Sequence, residues 1–337
     1  MRTLNANHLT AQTTGKRVPY IYLPFTSKDG LTTYDYTSRN LEIVYDLFLT
    51  YNNARITLDN HDWGIADIRG CYVEIGFGDT YSTVNYKQDY PRMWVKDQSE
   101  IDSPNGLYVE LYLEGMIEYL KAQPADHVGT KPYFRHTYES STRYEIIKAA
   151  LEHAGFTLNA LSEDDGIVDT LINDFKVNAA RVESLYDIIY AAISGTHSYL
   201  RFNNNLTVDV IYPQTDDAVD ETYYSYQAPY SYYYKEKKAE LEPNHFLVYG
   251  NQNLTDKTWD NILTGEYEDT TSTARYTDVT QHLIAAGLDN TGDLTDRAEA
   301  YALRTKSEEG SAVLVIQHDS RVELLDKPSI VRSRGIV

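Results

Sequence analysis

Histidine, acidic and tyrosine side chains are the residues of this sequence that could do chemistry, and their spacing decides which chemistry is open to them. His61 and Asp62 stand side by side in LDNHDWG. A general-base histidine needs a carboxylate that fixes its tautomer, but neighbours on a strand or turn point in divergent directions, and Asn60, Asp62 and Gly64 are turn formers first. The pair therefore reads as a turn. Glu163, Asp164, Asp165, Gly166 and Asp169 gather oxygens for a hard cation without the alternating acids and distal Glu of a calcium loop, which reads as an exposed acidic turn. The nine histidines include no HExxH, HxH or i,i+4 pair, so a zinc hydrolase has no ligands. Gly76 and Gly78 form a bare GxG with no helix behind it, a strand-end turn that cradles no phosphate. Neither GxSxG nor SxxK occurs. A carboxylate pair for glycoside cleavage stays open, because 50 acids permit many pairs and only the fold sets their separation. The expectation is a non-enzymatic protein with no catalytic residue, metal or cofactor.

Tyrosine is the abundant side chain, at 31 residues, and Tyr223, Tyr224, Tyr226, Tyr230, Tyr232, Tyr233 and Tyr234 crowd into one segment. A broad ring with a polar tip suits wet interfaces, so a subunit interface is the first expectation, with a mobile loop or a carbohydrate platform as alternatives. Stacking on single-stranded nucleic acid needs a basic groove, which Lys235, Lys237 and Lys238 are too few to form. The formal charge of −20 likewise argues against gripping a phosphate backbone. Cys71, the single cysteine, excludes an internal disulfide and sits in an apolar run as buried filler. No stretch reaches the ~18 apolar residues of a membrane span, and the N-terminal segment lacks a signal-peptide core, so synthesis and folding in a reducing cytosol are expected.

These residues must be positioned by the elements around them. At 337 residues the chain is expected to hold two or three domains. From Val18 to about Lys121 the pattern is all-β, with PYIYLPF, LEIVYDLFLTY, ARITLD, CYVEIGFG, PRMWVK and GLYVELYLEGMIEYL separated by turn residues, which suggests a barrel. The aperiodic stretch 122–136 marks a boundary. Thr142 with Glu145, and Ser184 with Asp187, are capping-box pairs opening two helices. The first carries Ile146, Ile147, Ala150 and Leu151 up to Gly155; the second carries Leu185, Ile188, Ile189, Ala192 and Ile193 up to Gly195, a left-handed stop. A hairpin follows, turning at Asn203, Asn204 and Asn205 into a return strand with Leu206, Val208 and Val210 on one side. Beyond His245 come one strong helix, with Leu294, Ala298, Tyr301 and Ala302 on one face, and a short buried strand Ala312 to Ile316.

The run LEHAGF followed by AISGTHSYLRF, together with ARITLDNHDWGIADIRGCYVEIGFGD, HFLVYGN, DLTDRAEAYALRTKSEEGSAVLVIQ and VELLDKPSIV in that order, resembles the hub proteins of phage tails. These are the late control protein D type, related to the base of type VI secretion spikes. The resemblance implies an α+β fold with two β-barrel-like domains, 1–128 and 244–337, bracketing an α/β module at 129–243. It implies a homotrimer that adapts a six-fold tail tube or distal tail protein to a three-fold spike or tail-tip protein. The protein would belong to the virion and be assembled in the host cytoplasm, with DNA only passing through a negatively charged channel. Ring contacts are expected from Ile56 and Leu58 and from Tyr72, Val73, Ile75 and Phe77, and neighbour contacts from the tyrosine tract. The alternatives are a tail-associated cell-wall-degrading enzyme and a glycan-binding adhesion module. Pro328 departs from the family pattern and is expected to force an edge strand or a bulge. The resemblance also implies further strands after this point, so closure of the second barrel is expected to need an edge from a neighbouring subunit or another protein.

Overall fold

The N-terminal strands form two sheets around one core. In the computed structural model, residues 2–4, 6–13, 18–125, 136–138, 141–172, 175–177, 184–214, 217–227, 229, 231–236, 242–252, 262–285, 290–308, 312–332 and 335–336 are described. The larger, seven-stranded sheet runs in the order Thr33–Asp35, Pro24–Thr26, Tyr72–Val73, Met93–Ser103, Gly106–Gly115, Asn52–Asp59, Asn40–Leu47. The smaller sheet has three strands, Val18–Tyr22, Gly76–Tyr81 and Val84–Asp89. Period-two alternation sets the faces: Ala54, Ile56 and Leu58 are fully buried while Arg55 between them is exposed. They meet Val109, Leu111, Leu113, Met93, Val95 and Val73, and Ile21 and Phe77 of the smaller sheet pack onto the same cluster.

Two segments pass from one sheet to the other. The expected strand PYIYLPF breaks at the fully buried Leu23, and CYVEIGFG breaks after Val73, so each gives one strand to each sheet. Strands that change sheets at a bend make the corners of a packed two-sheet body. Among the described residues neither sheet closes into a barrel by hydrogen bonding; both are open. The end of the last expected strand, GMIEYL, is instead the helix Met116–Ala122, because Met116, Ile117 and Leu120 bury one helical face in the second core.

That second core lies under the helices Arg143–His153 and Leu185–Ile193 and the hairpin Tyr199–Phe202 and Thr207–Ile211. Both capping boxes are present: each cap hydroxyl accepts from the N3 backbone, and each N3 carboxylate accepts from the cap backbone N–H. Replacing Ser184 by alanine is expected to cost about 1 kcal/mol, read as a shift in denaturant midpoint at constant slope. The hairpin turns with Asn205 and Leu206 both at positive φ, 55° and 57°, a conformation whose twist matches the flanking strands. Leu206 therefore belongs to the turn, and Val208 and Val210 carry the buried face. Gly195 does not adopt the left-handed conformation expected of it. A Cβ there would stand 2.7 Å from Nη1 of the buried Arg143, so a larger residue would require that guanidinium to shift.

The same core continues past residue 244 without a break: Phe246, Val248, Ala285, Leu294, Ala298 and Ala302 belong to it. They come from the sheet Ile262–Glu268, His245–Gln252, Thr280–Ile284 and from the helix Thr291–Glu308 laid across it. Four further small sheets are described: a ribbon of Ser231–Glu236 with Ala312–Ile316, Glu221–Tyr224 with Pro328–Arg332 and Gly335–Ile336, and the two-stranded pairs His136–Tyr138 with Phe175–Val177 and Ser141–Thr142 with Leu171–Ile172. The architecture is α+β, strand-rich, with six helices among the described residues.

Two expectations are corrected here. Ala312–Ile316 is a strand but not a buried one, since Val313 and Val315 are 56% and 47% exposed on a ribbon with a single partner strand. Pro328 opens the middle strand of its sheet rather than lying on an edge, and no ladder donor is lost because the outer strand pairs only at Val331 and Arg332.

Candidate assembly surfaces

The positions expected to make contacts divide between core and surface. Ile56, Leu58, Val73 and Ile75 are fully buried in the N-terminal core, so the strand surface open to another molecule is carried by their neighbours, such as Arg55. Tyr72 lies half-buried under the Arg92 guanidinium, 4.1 Å from the ring centre, and Phe77 packs edge-on to Tyr45 and Tyr90 at 5.8 and 4.9 Å.

The tyrosine tract is likewise divided. Tyr223 is buried and its hydroxyl donates to Asp319 Oδ2 at 3.1 Å. Tyr224 meets the exposed Tyr226 edge-on at 5.8 Å, and Tyr230 lies outside the described residues. Tyr232 and Tyr233 are 63% and 51% exposed on the ribbon, while Tyr234 is half-buried beneath Arg332 at 4.3 Å. Among the described residues the exposed rings, Tyr226, Tyr232 and Tyr233, are spread over a turn and an irregular strand of the ribbon.

The polar candidates have structural roles. His61 Nδ1 contacts Asp59 at 2.9 Å, not its neighbour Asp62, which holds Arg39 through two bonds of 2.7 and 2.8 Å. Asp164 and Asp165 accept from the backbone N–H groups of Gly166, Ile167 and Val168, forming a turn. Burial pushes the Cys71 thiol up, away from reactivity. Among the described residues no group of three His, Cys, Asp or Glu side chains could hold a metal ion, and no helix is long and apolar enough to cross a membrane.

Two networks that the sequence did not announce hold these surfaces in place. The first joins the N-terminal residues 2–12 to residues 319–323. Asp319, 7% exposed, receives Arg321 through bonds of 3.0 and 2.7 Å, and also Gln12 and Tyr223. Ser320 donates to Gln12 Oε1 at 2.9 Å and lies 3.2 Å from His8 Nε2. Arg2 donates to Glu323 at 2.8 Å, and Arg201 of the hairpin approaches the same carboxylate at 3.5 Å.

The second network is a clasp on the helix end within SGTHS. Arg304 donates to the carbonyls of Thr196 and Ile193 at 2.9 and 2.8 Å, Arg297 reaches Ser194 Oγ at 3.5 Å, and Arg143 reaches Ala192 O at 3.4 Å. Cations at a helix C-terminus satisfy its orphan carbonyls and oppose its dipole. Burial and the nearby Arg297 lower Arg143 to about 10. The only trace in the sequence is the seven-residue spacing of Arg297 and Arg304, two turns along one helix face.

His245 is a titratable group on the C-terminal sheet. Burial alone would lower it, but Glu266 at 2.7 Å and Asp278 at 3.4 Å raise it above the ordinary histidine value. A raised folded value contributes stability that is fully present below the unfolded value, about 6.5, and is lost as pH rises through the folded one. Stability is therefore expected to decline above about pH 6.5, and His245→Gln to flatten that slope in denaturant titrations.

Between the sheets a cleft of about 530 Å³ opens, walled by Tyr45, Leu47 and Tyr90 on the N-terminal side and by Leu314, Val315 and Ile316 of the ribbon on the other.

The fold is shared with known proteins. No protein-family model matches the sequence, and no curated protein matches it. Among solved structures, a tail protein from Neisseria meningitidis superposes with a TM-score of 0.65 at 10% identity, over 94% of this chain and 87% of its own. The 43 kDa tail protein of prophage MuSo2 from Shewanella oneidensis gives 0.63 at 8% identity, over 93% and 89%. A prophage tail protein from Listeria monocytogenes gives 0.57 at 10% identity, over 94% and 86%. At these identities the likeness is one of fold.

Proposed function

We propose that this chain is a structural hub protein of a phage tail tip or baseplate. Three copies would form a ring that adapts a six-fold tail tube or distal tail protein to a three-fold spike or tip protein. The observation that carries the reading is the fold shared along 93–94% of the chain with three tail proteins. In this reading the two open sheets of residues 18–115 act as one barrel-like unit and the small sheets after residue 244 as the other, six units per trimer. The −20 charge supports a channel past which DNA slides without sticking. Tyr226, Tyr232 and Tyr233 are the tract members with exposed rings to offer a neighbour. Light scattering on the purified protein is expected to give three times the 38.6 kDa chain mass. A monomer at all accessible concentrations would remove the trimeric reading.

A further inference from the structure

The seven-stranded sheet ends on a long open edge. Asn40–Leu47 pairs only with Asn52–Asp59, and among the described residues its outer side carries no strand. Phe48 N donates to Tyr51 O at 2.9 Å, which fixes the phase of this hairpin. The alternation of an antiparallel ladder then turns Glu42, Val44 and Asp46 toward the paired strand and leaves the backbone N–H and C=O of Ile43, Tyr45 and Leu47 directed outward. Natural edges are usually protected by proline, charge, a bulge or brevity. This one is eight residues long with no Pro or Lys. A register irregularity falls between Asn40 and Glu42, and Glu42 and Asp46 are its only charges, so regular pairing is open from Glu42 to Leu47 to a strand that supplies cations.

Both faces beside the edge specify what would pair there. On the inner face Tyr45 and Leu47 wall the cleft of about 530 Å³, whose far side is Leu314, Val315 and Ile316. A strand residue within packed sheets occupies about 160 Å³, from its rise and the strand and sheet spacings, so the cleft takes the inward half of a short strand. On the outer face Glu42, Val44 and Asp46 stand in line; Val44 is 48% exposed, and no described cation neutralises either acid.

From this we infer that the Asn40–Leu47 edge takes up an extended segment of a different protein by strand addition, a segment with two Lys or Arg residues four apart on one face and apolar residues on the other. The cations would stand opposite Glu42 and Asp46, the apolar side chains would enter the cleft, and main-chain hydrogen bonds would supply the remaining affinity. Among the described strands of this chain none carries two cations on one face, so the described part of a second copy does not supply such a segment. The inference stands on the edge, the cleft and the charges, and holds whatever the symmetry of the assembly.

A labelled peptide built on Lys-Val-Thr-Val-Lys tests it by fluorescence anisotropy, against Glu-Val-Thr-Val-Glu and a scrambled Lys-Lys-Val-Thr-Val. The first is expected to bind about tenfold tighter than either control, the swing of two cross-strand charge pairs from attraction to repulsion or misplacement. Reversing the edge charges with Glu42→Lys and Asp46→Lys should transfer the preference to the glutamate peptide. Val315→Glu on the far wall should weaken both peptides without unfolding the chain, which circular dichroism checks. Amide exchange at Ile43, Tyr45 and Leu47 should slow on binding. Equal binding of the ordered and scrambled lysine peptides would overturn the inference as mere attraction to an acidic chain. So would protection of other amides, or self-association through this edge that the peptides do not displace.

Discussion

Replacing Arg321 by methionine is expected to lower the free energy of unfolding by about 3 kcal/mol, because it strands a buried carboxylate. Asp319 is 7% exposed and its main charged partner is Arg321, held through two bonds of 3.0 and 2.7 Å. Burial alone would raise the Asp319 carboxyl, but Arg321 and Gln12 hold it below the ordinary range. A depressed folded value contributes stability that is present above the unfolded value, about 3.9, and is lost as pH falls through the folded one. Without Arg321 burial raises the Asp319 carboxyl, so acid unfolding should begin at a higher pH in the variant than in the parent. The double replacement Arg321→Met and Asp319→Asn should recover part of the loss, since it removes the stranded charge. Denaturant titrations at several pH values read all three outcomes. The effect should spread to the N-terminal helix Ala6–Thr13, whose His8 and Gln12 contact the same segment through Ser320.

Replacing Gly265 by alanine should cost about 3 kcal/mol through steric displacement. The glycine lies in Ile262–Glu268 directly under the helix Thr291–Glu308, and a Cβ there would stand 2.1 Å from the carbonyl carbon of Leu294 and 2.3 Å from the nitrogen of Thr295. Backbone cannot swing aside as a side chain can, so the helix must lift. Leu294, Ala298 and Ala302 would then lose contact with Phe246 and Val248 in the core they share. Thermal unfolding should show a fall of several degrees, and amide exchange a selective loss of protection in this helix. An alanine variant as stable as the parent would mean the helix does not sit this close to the sheet.

Local chemistry was what the sequence displayed best. Thr142 with Glu145 and Ser184 with Asp187 fall within one turn of chain, so their pairing depends on nothing distant, and both capping boxes form. Period-two alternation in ARITLD puts Ala54, Ile56 and Leu58 on one strand face, and the structure buries that face. The same alternation could not say whether an apolar strand residue faces a neighbour molecule or the chain's own core, which is why Ile56, Leu58, Val73 and Ile75 were expected at contacts and lie inside. Strand breaks at Leu23 and after Val73 follow from how two sheets meet, a tertiary fact with no local signature. Met116, Ile117 and Leu120 suit a strand or a helix by composition, and only packing against the second core selects the helix. Networks such as Asp319 with Gln12 and Tyr223 join residues hundreds of positions or about a hundred apart, beyond any spacing rule. Gly195 illustrates a subtler limit. The sequence suggests a left-handed helix stop, whereas in the structure its φ is not positive and its nearest neighbour is the guanidinium of Arg143, some fifty residues upstream in sequence.

Electron microscopy of the purified protein tests the hub assignment most directly. Class averages are expected to show rings of three protomers, each contributing two lobes so that the outline approaches a hexagon. Single particles of one protomer, or rings of any other symmetry, would contradict it.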